Sequence, residues 1–128
     1  MRLLLDTHVL IWWDSAPDTL SSRALGLLLD PENEMILSVA SLWEMQVKAQ
    51  LGKLMLRKSL RDLVSEQQAM NRLTLLPVRP EHAYALEDLP AHHKDPFDRM
   101  IVAQAKVEGL SVVSHDTVMR LYPVPVLW

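Results

Sequence analysis

Pro96-Phe97-Asp98-Arg99-Met100-Ile101-Val102-Ala103-Gln104-Ala105-Lys106-Val107-Glu108, followed by Gly109-Leu110 and then Ser111-Val112-Val113-Ser114-His115-Asp116, is the stretch that decides the fold. Proline suits the first turn of a helix. Ile101, Val102, Ala105 and Val107 are apolar near helical spacing. Gly109 suits the left-handed residue that ends a helix. Ser111 to Ser114 then reads as a short buried strand. One acid, Asp98, stands in the first turn of the helix, and another, Asp116, stands two residues past the strand.

The alternation continues outward. Arg2 to Leu5 reads as a buried strand closed by Asp6-Thr7, and a brief helix with Val9, Leu10, Trp12 and Trp13 runs to the break at Pro17. Ser21-Ser22 caps a helix that Pro31 stops, and Met35 to Ser38 reads as a strand. Ser38 to Leu51 reads as a helix ended by Gly52. Leu60 to Met70 reads as another, with Leu60, Leu63, Val64 and Met70 on one face. A strand over Leu73 to Val78, a short helix over Pro80 to Leu89 and a last strand over Val124 to Leu127 complete the order. Strands separated by helices predict an α/β fold with a mainly parallel sheet of four to five strands covered on both faces. In such sheets function gathers at the carboxyl ends of the strands.

The composition narrows the chemistry. The 128 residues suit one domain, 1–128, large enough for its own core. Cysteine is absent, which excludes disulfides, thiolate nucleophiles and zinc–thiolate sites. With three glycines, no glycine-rich phosphate loop can be built. The apolar run at Leu3-Leu4-Leu5 is too short for a signal peptide or membrane span, so a cytoplasmic protein with no membrane partner is expected. The net charge of −3 means that any nucleic-acid binding needs a local basic patch or bound cations.

Four acids carry the functional reading: Asp6, Glu44, Asp98 and Asp116. Singly, each has a bland role as a helix cap or a surface charge. Their flanks argue otherwise. Glu44 sits within Leu42-Trp43-Glu44-Met45, Asp98 beside Phe97 and Met100-Ile101-Val102, and Asp6 and Asp116 against buried strands. Ionised carboxylates rarely occupy apolar settings without a partner. Two of them ~4 Å apart repel by roughly 4 kcal/mol at an effective dielectric of 20. Gathered together they call for a cation, and hard oxygen donors favour one or two Mg²⁺ or Mn²⁺ ions. A divalent ion over clustered carboxylates suits phosphodiester hydrolysis by an activated water.

The same residues resemble the PIN-domain nucleases, and among them the VapC-type toxins of bacterial toxin–antitoxin modules. The matching stretches are Leu3-Leu4-Leu5-Asp6-Thr7-His8, Ser38-Val39-Ala40-Ser41-Leu42-Trp43-Glu44, Asp95-Pro96-Phe97-Asp98-Arg99-Met100-Ile101-Val102-Ala103-Gln104-Ala105, and Val112-Val113-Ser114-His115-Asp116. The resemblance implies a three-layer α/β/α sandwich and a Mg²⁺- or Mn²⁺-dependent endoribonuclease. It implies catalytic and metal-holding roles for Asp6, Glu44, Asp98 and Asp116. It also implies a cognate antitoxin partner and a homodimer. Its pattern selects Asp98 over Asp95, which precedes Pro96 and suits the helix N-cap, so Asp95 is a secondary candidate. Thr7 and Ser114 are polar neighbours placed to hydrogen-bond a ligand carboxylate or a bound water.

Other features carry less. Lys48, Lys53, Arg57, Lys58 and Arg61 form the one basic stretch, and Lys48 and Lys53 are candidates for holding RNA. Arg99 could pair with a carboxylate or touch substrate. Trp12, Trp13, Trp43 and Trp128 could stack on bases, although packing is the plainer reading. His92-His93 are adjacent and cannot share a helix face, and no H-x-x-x-H pair exists. His8 and His115 each lie beside a candidate acid and could contact phosphate, but local packing is the plainer reading, so no histidine enters the expected metal site. An aspartyl-phosphate phosphatase would want an acid two residues past Asp6, where His8 stands. The remaining rival is a non-catalytic RNA- or partner-binding module of the same fold.

Overall fold

A computed structural model describes residues 1–128. The chain runs β1 (Arg2–Leu5), α1 (Thr7–Ser15), α2 (Ser22–Leu29), β2 (Glu34–Ser38), α3 (Val39–Gln50), α4 (Leu60–Asn71), β3 (Thr74–Leu76), α5 (Pro80–Ala85), α6 (Pro96–Glu108), β4 (Ser111–Val113) and β5 (Val126–Leu127), with 3₁₀ turns at 17–19, 86–88 and 117–121. The sheet order is β3-β2-β1-β4-β5. Every neighbouring pair is parallel, as in Leu3↔Met35 and Leu3↔Ser111. The expected α/β/α sandwich is the fold observed.

Strand alternation builds two cores. Leu3, Leu5, Met35, Leu37 and Val113 point to one face, where Val9, Leu10, Met45 and Leu63 from the first four helices cover them. Leu4, Ile36 and Val112 point to the other, beneath Ile101, Val102 and Ala105 of α6. Both faces are dry, which is why the strands are apolar throughout instead of alternating with polar residues.

Local chemistry sets the helix boundaries. The hydroxyls of Ser21, Ser38 and Ser59 accept backbone N–H groups at the starts of α2, α3 and α4. Asp95 caps α6 by accepting from the N–H groups of Phe97 and Asp98, and Gly109 ends it at φ 67°. Gly52 follows α3 at φ 71°, while α4 is ended by a non-glycine residue in the same left-handed region, Arg72 at φ 55°.

Some boundaries differ from the sequence expectation. Met70 is 72% exposed and does not share the buried face of α4. Gln67 takes that position, and Met70 borders an open hollow with Leu28, Asp30 and Arg72. The strand expected over Leu73 to Val78 shortens to Thr74–Leu76, because Pro77 has no N–H for the ladder. The strand expected from Val124 begins at Val126, after Pro125. The expected Pro80–Leu89 helix tightens into a 3₁₀ turn after Ala85.

The order places the strand reversal at the centre. From β1 the chain first builds outward through β2 and β3, then crosses back to lay β4 and β5 on the other side. The crevice between the carboxyl ends of β1 and β4 is where this architecture receives ligands. Asp6 follows β1 and Asp116 follows β4.

Candidate active site

Asp6 extends the sheet by one residue, its backbone N–H donating to the Val113 carbonyl at 3.0 Å. It stands at the N-cap of α1, yet its side chain accepts no capping hydrogen bond. The carboxylate turns to Ser114 instead, whose hydroxyl donates to Oδ2 at 2.7 Å. The bland reading of Asp6 as a cap therefore fails. Burial raises its pKa more than this hydrogen bond lowers it, and the charge of Glu44 adds to the rise.

Asp98 projects from the first turn of α6. Asp95 performs the capping, which leaves the Asp98 carboxylate without a committed partner. Its pKa is raised from 3.8 to about 7 by burial, then by the charges of Asp95 and Asp6. Asp116 both caps the 3₁₀ turn after β4, through the Val118 N–H at 2.9 Å, and bonds His93 Nε2 at 2.6 Å. Burial pushes Asp116 up, but the bonds from His93 and from backbone N–H groups outweigh it and hold the group low.

Asp6, Asp98 and Asp116 line one cavity of about 290 Å³ together with His8, Trp12 and His115. Glu44 does not line it. Glu44 is 3% exposed and stands behind the pocket wall, pinned at both oxygens. The Thr7 hydroxyl donates to Oε1 at 2.7 Å, and Lys48 Nζ donates to Oε2 at 2.6 Å. Ser41 lies 2.9 Å from the Thr7 oxygen and completes the cluster. Its charge nonetheless reaches the cavity, since it raises both Asp6 and Asp98.

Lys48, expected to hold RNA, is engaged within the chain. It forms an i,i+4 pair with Glu44 on α3, and that hydrogen bond raises its pKa. Arg57 pairs with Asp14 and Lys58 with Glu66, so most of the basic stretch is spent within the chain. Lys53 is exposed just past the end of α3. Of the two roles expected of Arg99, the carboxylate pair is not formed. The side chain donates to the carbonyls of Leu86 and Pro90 and ties the 86–90 turn to α6.

Of the tryptophans, Trp12 reaches the pocket. Its ring centroid lies 5.7 Å from that of His8, 6.1 Å from His115 and 5.9 Å from Trp128. Trp43 is 65% exposed and meets Phe97 edge-on at 5.1 Å.

The residue that sequence reasoning missed is His93. It sits in coil ahead of α6, where the helix-face argument against His92-His93 does not apply. Ligand atoms of His93, Asp98 and Asp116 all lie within 4.8 Å of one another. The donor set fits a divalent ion on its chemistry. Three carboxylates share the cavity, two are raised in pKa, and no lysine or arginine lines it. A cation would relieve that excess of negative charge.

Comparisons with known proteins place the family and the fold. Residues 3–124 match the PIN domain family. The chain is 28% identical over 124 residues to the ribonuclease VapC22 of Mycobacterium tuberculosis, covering 96% of this chain and 93% of that protein. Among solved structures, VapBC2 from Rickettsia felis bound to a promoter DNA fragment superposes with a TM-score of 0.75 at 15% identity, covering 99% of this chain and 98% of that one. FitAcB from Neisseria gonorrhoeae superposes with a TM-score of 0.66 at 20% identity, covering 98% and 96%.

Proposed function

The chain belongs to the PIN-domain family, and from that premise we propose that it is a metal-dependent endoribonuclease of the VapC type, the toxin of a toxin–antitoxin module. The observation that carries the reading is the pocket at the β1/β4 crevice. Its three carboxylates come from distant parts of the chain, and Asp6 and Asp98 are held there without serving as caps.

Asp6, Asp98 and Asp116 are the residues that would hold one or two Mg²⁺ or Mn²⁺ ions. When bound, such an ion supplies positive charge for the phosphate and a water of lowered pKa. The chain's own groups prepare the site. Ser114 fixes the rotamer of Asp6 through its 2.7 Å hydrogen bond. Thr7 and Lys48 fix both carboxylate oxygens of Glu44 beside the pocket, where its charge reinforces cation binding or orients a water. Asp95 orients the first turn of α6 and thereby Asp98. Water, not the neighbouring 2′-hydroxyl, is the nucleophile, so the products carry 5′-phosphate and 3′-hydroxyl ends.

The test uses purified chain freed of any antitoxin. It should cleave RNA with Mg²⁺ or Mn²⁺, stop on chelation, and lose cleavage in Asp98→Asn with the fold retained. Ends bearing 2′,3′-cyclic phosphate would overturn the mechanism. Equal behaviour of wild type and Asp98→Asn would favour a non-catalytic binding module. An antitoxin partner is supported by the VapBC and FitAcB structures that share the fold. Co-purification from a host expressing the neighbouring reading frame tests it, and sedimentation tests the homodimer. No helix is long and apolar enough to cross a membrane, and the proposed setting is the cytoplasm.

A further inference from the structure

The donors around the pocket are not all oxygens. His93 is held from behind by Tyr122, itself buried in the second core. The backbone N–H of His93 donates to the Tyr122 hydroxyl at 2.9 Å, and Nδ1 lies 2.9 Å from the same oxygen. The imidazole lies nearly parallel to the phenol ring, with centroids 5.5 Å apart and planes at 15°. The side chain is 10% exposed. These contacts leave Nε2 as the ring nitrogen facing the carboxylates, 2.6 Å from Asp116 Oδ2.

We propose that His93 Nε2 is itself a ligand of the divalent ion, alongside Asp98 and Asp116, and that this nitrogen makes the site favour first-row transition ions over Mg²⁺. The proposal rests on the metal-dependent reading above and adds a donor that the four-acid expectation lacks.

The hydrogen bonds allow it without moving a heavy atom of the support. A tyrosine hydroxyl has one proton and two lone pairs. In the ion-free arrangement Nε2–H donates to Asp116, and Tyr122 donates to Nδ1. With an ion on Nε2, the ring proton sits on Nδ1 and donates to the Tyr122 oxygen, which still accepts the His93 backbone N–H. A ligating histidine is commonly secured by such a bond from its other nitrogen to an oxygen. Two donors each ~2.1 Å from an ion stand at most ~4.2 Å apart. The His93, Asp98 and Asp116 atoms already lie within 4.8 Å of one another, so an ion is seated by a small adjustment in which the hydrogen-bonded Nε2–Oδ2 pair opens to about 3 Å, the spacing of adjacent ligands. Imidazole is a softer donor than carboxylate. Transition ions take it far more readily than Mg²⁺, which keeps to oxygen.

Pulsed EPR of Mn²⁺ added to the purified chain, without RNA, tests the ligand directly. The expected spectrum shows nitrogen coupling from one imidazole, and His93→Gln abolishes it. Calorimetric titrations should show Mn²⁺ affinity falling about tenfold or more in His93→Gln, with a smaller loss for Mg²⁺. Bound Mn²⁺ without nitrogen coupling in the wild type overturns the proposal and leaves the metal-dependent reading standing. That spectrum needs no variant, so a folding defect in His93→Gln does not blunt the test. Equal losses for both ions in a folded variant also overturn it, and assign His93 to holding Asp116 in place. A wild-type chain that binds no Mn²⁺ at all overturns the metal-dependent reading itself.

Discussion

The two ends of α6 hold acids in opposite circumstances. Asp98, in the first turn, is raised to about 7 by burial and by the carboxylates around it. Glu108, the last residue, is held below its ordinary value by the hydrogen bond with His82 and then by the Arg79 guanidinium. The helix dipole alone predicts the reverse, since it favours acids at the N-terminus and opposes them at the C-terminus. At ~0.3–1 kcal/mol a helix end moves a carboxyl by less than one pH unit. The neighbours win. Glu108 has its partners within the chain: His82 Nε2 at 2.9 Å and Arg79 Nη1 at 3.0 Å. Asp98 lacks one, and a carboxylate that the fold leaves uncompensated marks where an external cation belongs.

Breaking the Asp98 end has the largest expected effect. Asp98→Asn should lower RNA cleavage by about a hundredfold or more, the scale seen when metal sites lose their support. The same change should raise the melting temperature of the ion-free chain by about 1–5 °C, as a few tenths to one kcal/mol of repulsion is removed. A drop in melting temperature would refute the picture of uncompensated charge. Next, saturating Mn²⁺ or Mg²⁺ at about a hundred times its Kd should stabilise the wild type by about 2.7 kcal/mol. Asp98→Asn should lose most of that gain in the same thermal scan.

At the Glu108 end, His82 is fully buried, and its Nδ1 accepts the Arg79 backbone N–H at 2.9 Å. His82→Ala should destabilise the fold by about 1–3 kcal/mol and leave Mn²⁺ affinity unchanged. A matching loss of metal binding would show that the two ends are not independent.

The smallest effect is on pH dependence, and the two ends have opposite signs. A group whose folded pKa is raised binds its proton more tightly when folded, so Asp98 makes the ion-free fold less stable as pH rises from about 4 to about 7. Glu108 is lowered, so its contribution is present above its unfolded value of 4.5 and is lost as pH falls below it. Urea midpoints followed against pH should change less steeply above pH 4 in Asp98→Asn and below pH 4.5 in Glu108→Gln, Asp6 and Asp116 supplying the slope that remains.

What could be read in advance was local. Ser21, Asp95, Pro96, Gly52 and Gly109 set helix ends through bonds spanning a few residues, and they stand where the spacing predicts. The acids past β1 and β4 follow from strand order, a rule of the architecture. The misses needed distance. His93 meets Asp116 across 23 residues through a coil with no periodicity. Arg99 finds carbonyls at 86 and 90 that exist only because the chain tightens there. Lys48 was within reach, four residues from Glu44 on one helix. Counted with the basic stretch its charge reads as an RNA contact, and counted with its own helix face it reads as the partner of Glu44.

The hydrogen bond from Ser114 to Asp6 joins residues 108 positions apart. During synthesis, at ~5–20 residues per second, roughly 5–20 s separate the emergence of the two. Throughout that interval β1 lacks its β4 neighbour, and the crevice has only one wall. In a chain built this way the acids of the pocket come together only when nearly the whole chain has been translated.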